Sequence, residues 1–226
     1  MNRMMNTVEY VATDLEGTLT RGEVWRGIGR YLAAHGRANA HRLFIMTHYP
    51  GAMLAKAGLM DKQNFKTKWL IDQTRLLAGY TRQEFDALCE WVVEHEEWPQ
   101  RRAAVIDELA QHHAEGRTIL IASGAYEPVV HALARRWGLE HIQVLGTALE
   151  YAGERLTGKF AARISMDAVK AERVRECVGS GQLVAAYGDT AADAPMLAMS
   201  RNPVAVAPDS ALARMAQEKG WRMLDV

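Results

Sequence analysis

The chain has 226 residues, 49% hydrophobic and 24% charged, with Lys+Arg and Asp+Glu both totalling 27. This composition excludes a disordered chain, and zero formal net charge excludes a basic field for nucleic acid. Cys89 and Cys177 are the only cysteines and form no CxxC ligand pair, which favours a reduced, intracellular setting.

Met1–Asn6 has no apolar signal core. The most membrane-like run, Leu43 to Met60, contains His48, Pro50 and Lys56 and makes a poor span. A soluble, cytoplasmic protein without membrane partners is expected. Its length allows one large core, or a core plus a small second domain.

Val8–Thr13 reads as a buried strand that delivers Asp14-Leu15-Glu16-Gly17-Thr18-Leu19-Thr20. Alternate residues of an extended chain point the same way, so Asp14 and Glu16 can face one site. Two crowded acids repel unless a cation or proton separates them. The carboxyl end of such a strand is also where open α/β sheets bind ligands. Taken alone, the heptapeptide is equally a strand followed by an acidic turn.

About eighty helical residues follow. Trp25, Ile28, Tyr31 and Leu32 share one face of a first helix, which ends near Gly36. A second helical stretch, about 38–57, is expected to break at Pro50-Gly51. A third runs from about Asp61 to Leu77. Thr81-Arg82-Gln83-Glu84 fits a capping box opening a fourth, with Trp98-Pro99 as the exit.

Strand and helix then alternate. Pro99 suits the first turn of a helix reaching Gly116. Thr118–Ala122 is wholly apolar, as a buried parallel strand should be. It ends in Ser123-Gly124-Ala125-Tyr126, expected to lead directly into a helix. His141–Leu145 is a further strand, 149–157 a hairpin turning near Gly153, and about 165–178 a helix. Leu183–Tyr187 is a strand running into Gly188-Asp189. After a helix through Met196 and Met199, Val204–Val206 is a strand, and Asp209 can cap the last helix. This alternation predicts an α/β fold, a three-layer Rossmann-like parallel sheet core with an inserted all-helical cap. The core is expected over 1–21 and 99–226, and the cap over 22–98.

Asp14, Ser123 and Asp189 each fall just after an apolar strand, and Asp193 lies four residues beyond Asp189. Neighbouring strands would bring these carboxylates together as hard oxygen ligands suited to Mg²⁺. Ser123 and Gly124 offer a hydroxyl and backbone N–H groups to an anion. Lys170 would supply positive charge for a phosphoryl group.

These residues resemble the motifs of the haloacid dehalogenase superfamily of phosphohydrolases. The segment Asp14–Thr20 resembles the first, DxDGTxx. Ser123-Gly124 resembles the second, and its continuation is similar to the SGGF run of phosphoserine phosphatases, the branch that fits best. Lys170 matches the third, and Gly188-Asp189-Thr190-Ala191-Ala192-Asp193 the fourth, GDxxxD.

The resemblance implies a Mg²⁺-dependent phosphatase acting on a small-molecule phosphomonoester, with a phosphoserine-like ester as one candidate. Asp14 is the implied nucleophile, forming an aspartyl-phosphate. Glu16 is the implied acid and base, standing where the family usually has Asp. Asp14, the backbone carbonyl of Glu16, Asp189 and Asp193 are the implied metal set. Ser123, Gly124 and Lys170 are the implied phosphoryl binders.

Glu23 sits where phosphoserine phosphatases place a Glu for the substrate amine, although a helix start favours any acid. The family's partner Arg in the cap has no match; Gln73 stands there, with Lys68 and Arg75 nearby. Lys159 is a rival to Lys170, expected to be solvated. Trp25, Trp69, Trp91, Met46, Met53 and Met60 are expected in the cap core, and any of them lining a pocket would imply an apolar portion in the substrate. The same residues would serve a phosphotransferase, and a weakly active phosphate- or partner-binding relative is the reading from another class. The sequence shows no oligomeric state.

Overall fold

The computed structural model describes residues 8–226, so Met1–Asn6, read above for a signal core, lies outside the described residues. Six parallel strands form one sheet in the order β3-β2-β1-β6-β7-β8. They are β1 (Glu9–Thr13), β2 (Thr118–Tyr126), β3 (Gln143–Thr147), β6 (Gln182–Gly188), β7 (Asn202–Val206) and β8 (Arg222–Leu224). A separate antiparallel hairpin pairs β4 (Leu149–Ala152) with β5 (Arg155–Phe160).

The alternation along the strands assigns the two faces. Val11, Ile119, Ile121, Ala185 and Tyr187 pack on one side, beneath α5 (Ala103–Ala114) and α6 (Glu127–Trp137). Ala12, Leu120, Ala122 and Ala186 pack on the other, beneath α7 (Asp167–Val178), the short α8 (Ala194–Leu197) and α9 (Ser210–Lys219). Burying one such Leu or Val side chain is worth roughly 1.5–3 kcal/mol.

Between β1 and α5 the chain is helical: α1 (Val24–Ala34), α2 (Ala38–Lys56), α3 (Lys62–Arg75), α4 (Arg82–Val92), then a π-helical turn, Val93–Glu97, and a 3₁₀ turn, Trp98–Gln100. Thr81 and Glu84 make the expected capping box at α4. Ile28, Leu32, Phe85, Leu88 and Val92 belong to the same apolar cluster as Val105 and Val130, so the helical interval shares its core with one face of the sheet. The hairpin grips it from the other side. Gly79 N–H donates to Leu156 O at 2.8 Å and Leu156 N–H to Tyr80 O at 2.8 Å.

The structure departs from expectation at several places. Helix α2 runs unbroken through Pro50. Proline removes one N–H from the ladder, but Met46 and Pro50 lie on the exposed side, where water can serve the freed carbonyl. Pro99 opens only the 3₁₀ turn, and α5 starts at Ala103. Strand β3 begins two residues late because His141 has φ 56°, which extended backbone cannot use. Strand β8, short and with two exposed residues, carried no visible signal. Met46, Met53 and Met60 are exposed rather than in a cap core.

Candidate active site

Strands β2, β1 and β6 are adjacent and in parallel register, with Thr13 opposite both Ile121 and Tyr187. Their carboxyl ends therefore deliver Asp14, Ser123 and Asp189 to one place. Asp14 N–H donates to Tyr187 O at 3.0 Å, which fixes the backbone where β1 ends. The chain then turns on Gly17, at φ 89°. A Cβ at Gly17 would overlap the Asp189 carboxylate, so only glycine lets the two loops approach.

Lys170, in the first turn of α7, is the centre of the charge arrangement. Its Nζ donates to Asp14 Oδ1 at 2.6 Å and to Asp193 Oδ1 at 2.7 Å. All three groups are buried. Burial alone would push the lysine towards neutrality, but the two carboxylates outweigh it and raise its pKa. Burial raises Asp14 as well, with Lys170 pulling it back down and Asp193 pushing further up. Asp189 is pushed up to about 7, first by burial and then by Asp14 and Asp193.

Carboxylate oxygens of Asp14, Asp189 and Asp193 all lie within 4.8 Å of one another. Three acids share one lysine, leaving negative charge that a hard divalent cation would balance. Thr18 Oγ1 donates to Asp189 Oδ1 at 3.2 Å. Asp193 Oδ2 accepts from the N–H groups of Asp189 and Thr190 at 3.3 and 3.2 Å. Asp193 thus holds the loop bearing Asp189 as well as adding charge.

Glu16 is partly buried, and the loss of water around its carboxyl raises its pKa to about 7, with Asp14 adding to the rise. Its Oε1 accepts the Val24 N–H at 2.7 Å.

Ser123 and Gly124 do not sit at a helix N-terminus, as expected from sequence. Strand β2 continues to Tyr126, and α6 starts only at Glu127. The register with β3 shifts between Ala122 and Tyr126, and that irregularity exposes the Ser123–Ala125 backbone to the cavity. Ser123 Oγ accepts the Ala125 N–H at 3.1 Å.

Sequence reasoning missed the parts that hold this turn. Thr147 Oγ1 donates to Gly124 O at 2.9 Å and accepts the Ser165 N–H at 3.1 Å, fixing the approach to α7. Asp167 opens α7 at φ 50° and lines the cavity. A polar residue at a strand end or a helix start is a common pattern, so none of these stood out.

A cavity of about 190 Å³ opens above the acids. Asp14, Glu16, Ser123, Gly124, Lys170, Asp189 and Asp193 are all in its wall. The helical interval contributes Val24, Trp25, Lys66, Trp69, Leu70 and Gln73. Thr74 Oγ1 and the Tyr126 hydroxyl, 2.8 Å apart, join α3 to the end of β2. Glu23 is not in the wall: its carboxylate pairs with Arg26 at 2.6 Å. Lys159 is exposed on β5, as expected. Trp91 packs on Tyr31 away from the cavity.

Comparison with known proteins places this geometry. The sequence profile of the haloacid dehalogenase-like hydrolases matches residues 11–198. A histidinol-phosphatase of Neisseria meningitidis is 28% identical over 162 residues, 66% of this chain and 70% of that protein. Phosphoserine phosphatase SerB1 of Mycobacterium tuberculosis is 29% identical over 224 residues, 94% of this chain and 69% of that one. A crystal structure of a Bordetella pertussis protein of unknown function has the same fold, with TM-score 0.80, 23% identity, and coverage of 97% of this chain and 99% of that one. Among the described residues, no helix is long and apolar enough to cross a membrane.

Proposed function

The chain belongs to the haloacid dehalogenase-like hydrolases, and on that premise we propose that it is a Mg²⁺-dependent phosphatase of small-molecule phosphomonoesters, working through an aspartyl-phosphate on Asp14. The observation that carries this reading is the buried group of Asp14, Asp189, Asp193 and Lys170 at the carboxyl ends of β1 and β6. The phosphatase names of two relatives support the substrate class. Residues 22–98 act as the cap, and the described residues 8–21 with 99–226 as the core.

The donor set fits Mg²⁺, since it is all oxygen and carries more negative charge than Lys170 balances. Asp14, the backbone carbonyl of Glu16 and Asp189 would hold the ion, with Asp193 binding it directly or through water. When bound, Mg²⁺ neutralises charge on the phosphoryl oxygens.

The protein residues carry the remaining steps. Lys170, the Ser123 hydroxyl and the backbone N–H groups at Gly124 hold the phosphoryl oxygens. An Asp14 carboxylate oxygen attacks phosphorus, forming the aspartyl-phosphate as the bond to the leaving oxygen breaks. Glu16 delivers its proton to that oxygen. A water then attacks the same phosphorus, Glu16 takes the water's proton, and Asp14 and inorganic phosphate are released. Glu16 Oε1 is held by Val24, which leaves Oε2 for the proton. A carboxyl near 7 suits both directions of transfer.

Both cysteines are free, in keeping with a reducing cytoplasm. A phosphate-release assay over a panel of esters, with Mg²⁺ and with EDTA, tests the reading. Metal-dependent release is expected, and release unaffected by EDTA would refute it.

A further inference from the structure

We infer that the alcohol released from the phosphate carries a planar, uncharged ring, bound in the angle between Trp25 and Trp69. This rests on the phosphatase reading and names the substrate class for the same cavity.

The two ends of the cavity differ in chemistry. All of its carboxylates, Asp14, Glu16, Asp167, Asp189 and Asp193, come from the core side, where the phosphoryl group is handled. The cap side offers Val24, Trp25, Trp69, Leu70, the Gln73 amide and one charge, Lys66. No carboxylate of the cap's described residues lines it, and Glu23 pairs with Arg26. An ammonium entering this end would meet the Lys66 charge, and the cap's own wall supplies no acid to pair with it. A zwitterionic leaving group would lose hydration at both charges with one of them uncompensated.

The indoles are set for a flat group. Their ring centroids lie 5.4 Å apart at 81°, so they form two walls at nearly a right angle. A ring lying flat on one meets the edge of the other, the arrangement aromatic quadrupoles prefer. The Trp69 wall does not have to be ordered on binding. Trp69 is backed by Phe44 at 4.8 Å and by Phe65 at 5.9 Å. The backbone of Trp25 is held by the Gln73 amide, which donates to its carbonyl at 3.0 Å. A wall fixed beforehand saves part of the ordering cost of binding.

The test compares 2-phenylethyl phosphate with 2-cyclohexylethyl phosphate, O-phospho-L-serine, phosphocholine and ethyl phosphate, at saturating Mg²⁺. Phenylethyl phosphate should exceed its puckered analogue in kcat/KM by ~3–10-fold, and the two charged esters by at least ~10-fold. In Trp25→Leu and Trp69→Leu the ratio of phenylethyl to ethyl phosphate should fall towards one. Lys66→Gln should raise kcat/KM for phosphocholine relative to phenylethyl phosphate. A higher kcat/KM for phosphoserine or phosphocholine, or a ratio unmoved by both tryptophan changes, overturns the ring and leaves the phosphatase standing. Calorimetric binding to Asp14→Asn separates the two readings when no ester turns over. Tighter binding of phenylethyl phosphate than of phosphoserine then supports the ring without the catalysis, and the reverse order overturns it.

Discussion

The Glu16 carboxylate accepts the backbone N–H of Val24 at 2.7 Å, so the acid beside Asp14 also closes the first turn of α1. The residue assigned to proton transfer is thereby fixed to the cap that covers the substrate. Glu16→Gln keeps an acceptor for Val24 and loses only the proton. The variant should fold and bind Mg²⁺ as the wild type does, since only the backbone carbonyl of this residue is assigned to the metal. Its turnover of an alkyl phosphate should fall by ~10²–10⁴-fold, with a smaller loss on p-nitrophenyl phosphate, whose leaving group needs no proton. Wild-type turnover of the alkyl ester would remove Glu16 from the mechanism.

The same carboxyl sets an alkaline limb. Burial raises Glu16 to about 7, and the first step needs its protonated form. For alkyl phosphates kcat/KM should fall as pH rises through about 7. The limb should be absent in Glu16→Gln, and its persistence there would assign it to another group. Asp189, also raised to about 7 by burial and its neighbours, must be ionised to hold a cation. Protons and metal therefore compete, and an acidic limb should move to lower pH as Mg²⁺ is increased.

Asp14 should be the residue that carries phosphorus. Of the three clustered acids it is the one at the end of β1, held by Lys170 at 2.6 Å. Mass spectrometry after beryllofluoride treatment, or after rapid acid quench during turnover, should place the adduct on the peptide containing Asp14. Asp14→Asn should abolish turnover. An adduct on Asp189 or Asp193 would exchange nucleophile and ligand.

The candidate site was largely legible because an apolar run stops abruptly at a polar residue at each point, after β1 and β6 for Asp14 and Asp189 and within β2 for Ser123. Asp14, Ser123 and Asp189 all show this, and parallel pairing of β2, β1 and β6 does the rest. What was not legible depends on contacts between distant segments. The extension of β2 past Ser123 is decided by pairing of Tyr126 with Thr147, which lies on β3. The placement of α7 depends on Thr147 meeting Ser165. Pro50 argued for a break in α2, but an exposed helix face tolerates a missing bond. Trp25 and Trp69 looked like core because spacing cannot show whether a cap helix faces packing or a cavity.

Glu23→Gln should change kcat/KM for amine-bearing and amine-free esters by the same factor, within about twofold. Glu23 precedes α1 and pairs with Arg26 at 2.6 Å, with its side chain outside the cavity wall. A partly exposed pair of this kind is worth little, so the variant should fold. A selective loss on phosphoserine or phosphoethanolamine would show that Arg26 yields Glu23 to the substrate.

Glu97 makes the last prediction, one of stability. It lies in the π-helical turn with no exposed surface, and both carboxylate oxygens lack a hydrogen-bond partner. Its backbone is committed to the joint between core and cap, where the Thr20 hydroxyl donates to its carbonyl at 2.7 Å. Gly22 packs so closely that a Cβ there would lie 2.9 Å from Glu97 Oε2. Burial, then the charges of Glu16, Glu96 and Glu23, push this carboxyl well above the usual range. The folded protein therefore keeps the proton that the unfolded chain releases above about pH 4.3. With more protons bound in the folded state, stability falls as pH rises between those two values, by about 1.4 kcal/mol per pH unit for this one group. Glu97→Gln has the shape of the neutral acid and no proton to lose. Its melting temperature should match the wild type near pH 4.5 and exceed it by a margin that grows as the pH rises above that. Because Glu16 and Asp189 titrate in both proteins, the informative quantity is the difference between the two. A difference independent of pH would show that Glu97 is already ionised in the folded protein, with a partner supplied by movement of the joint.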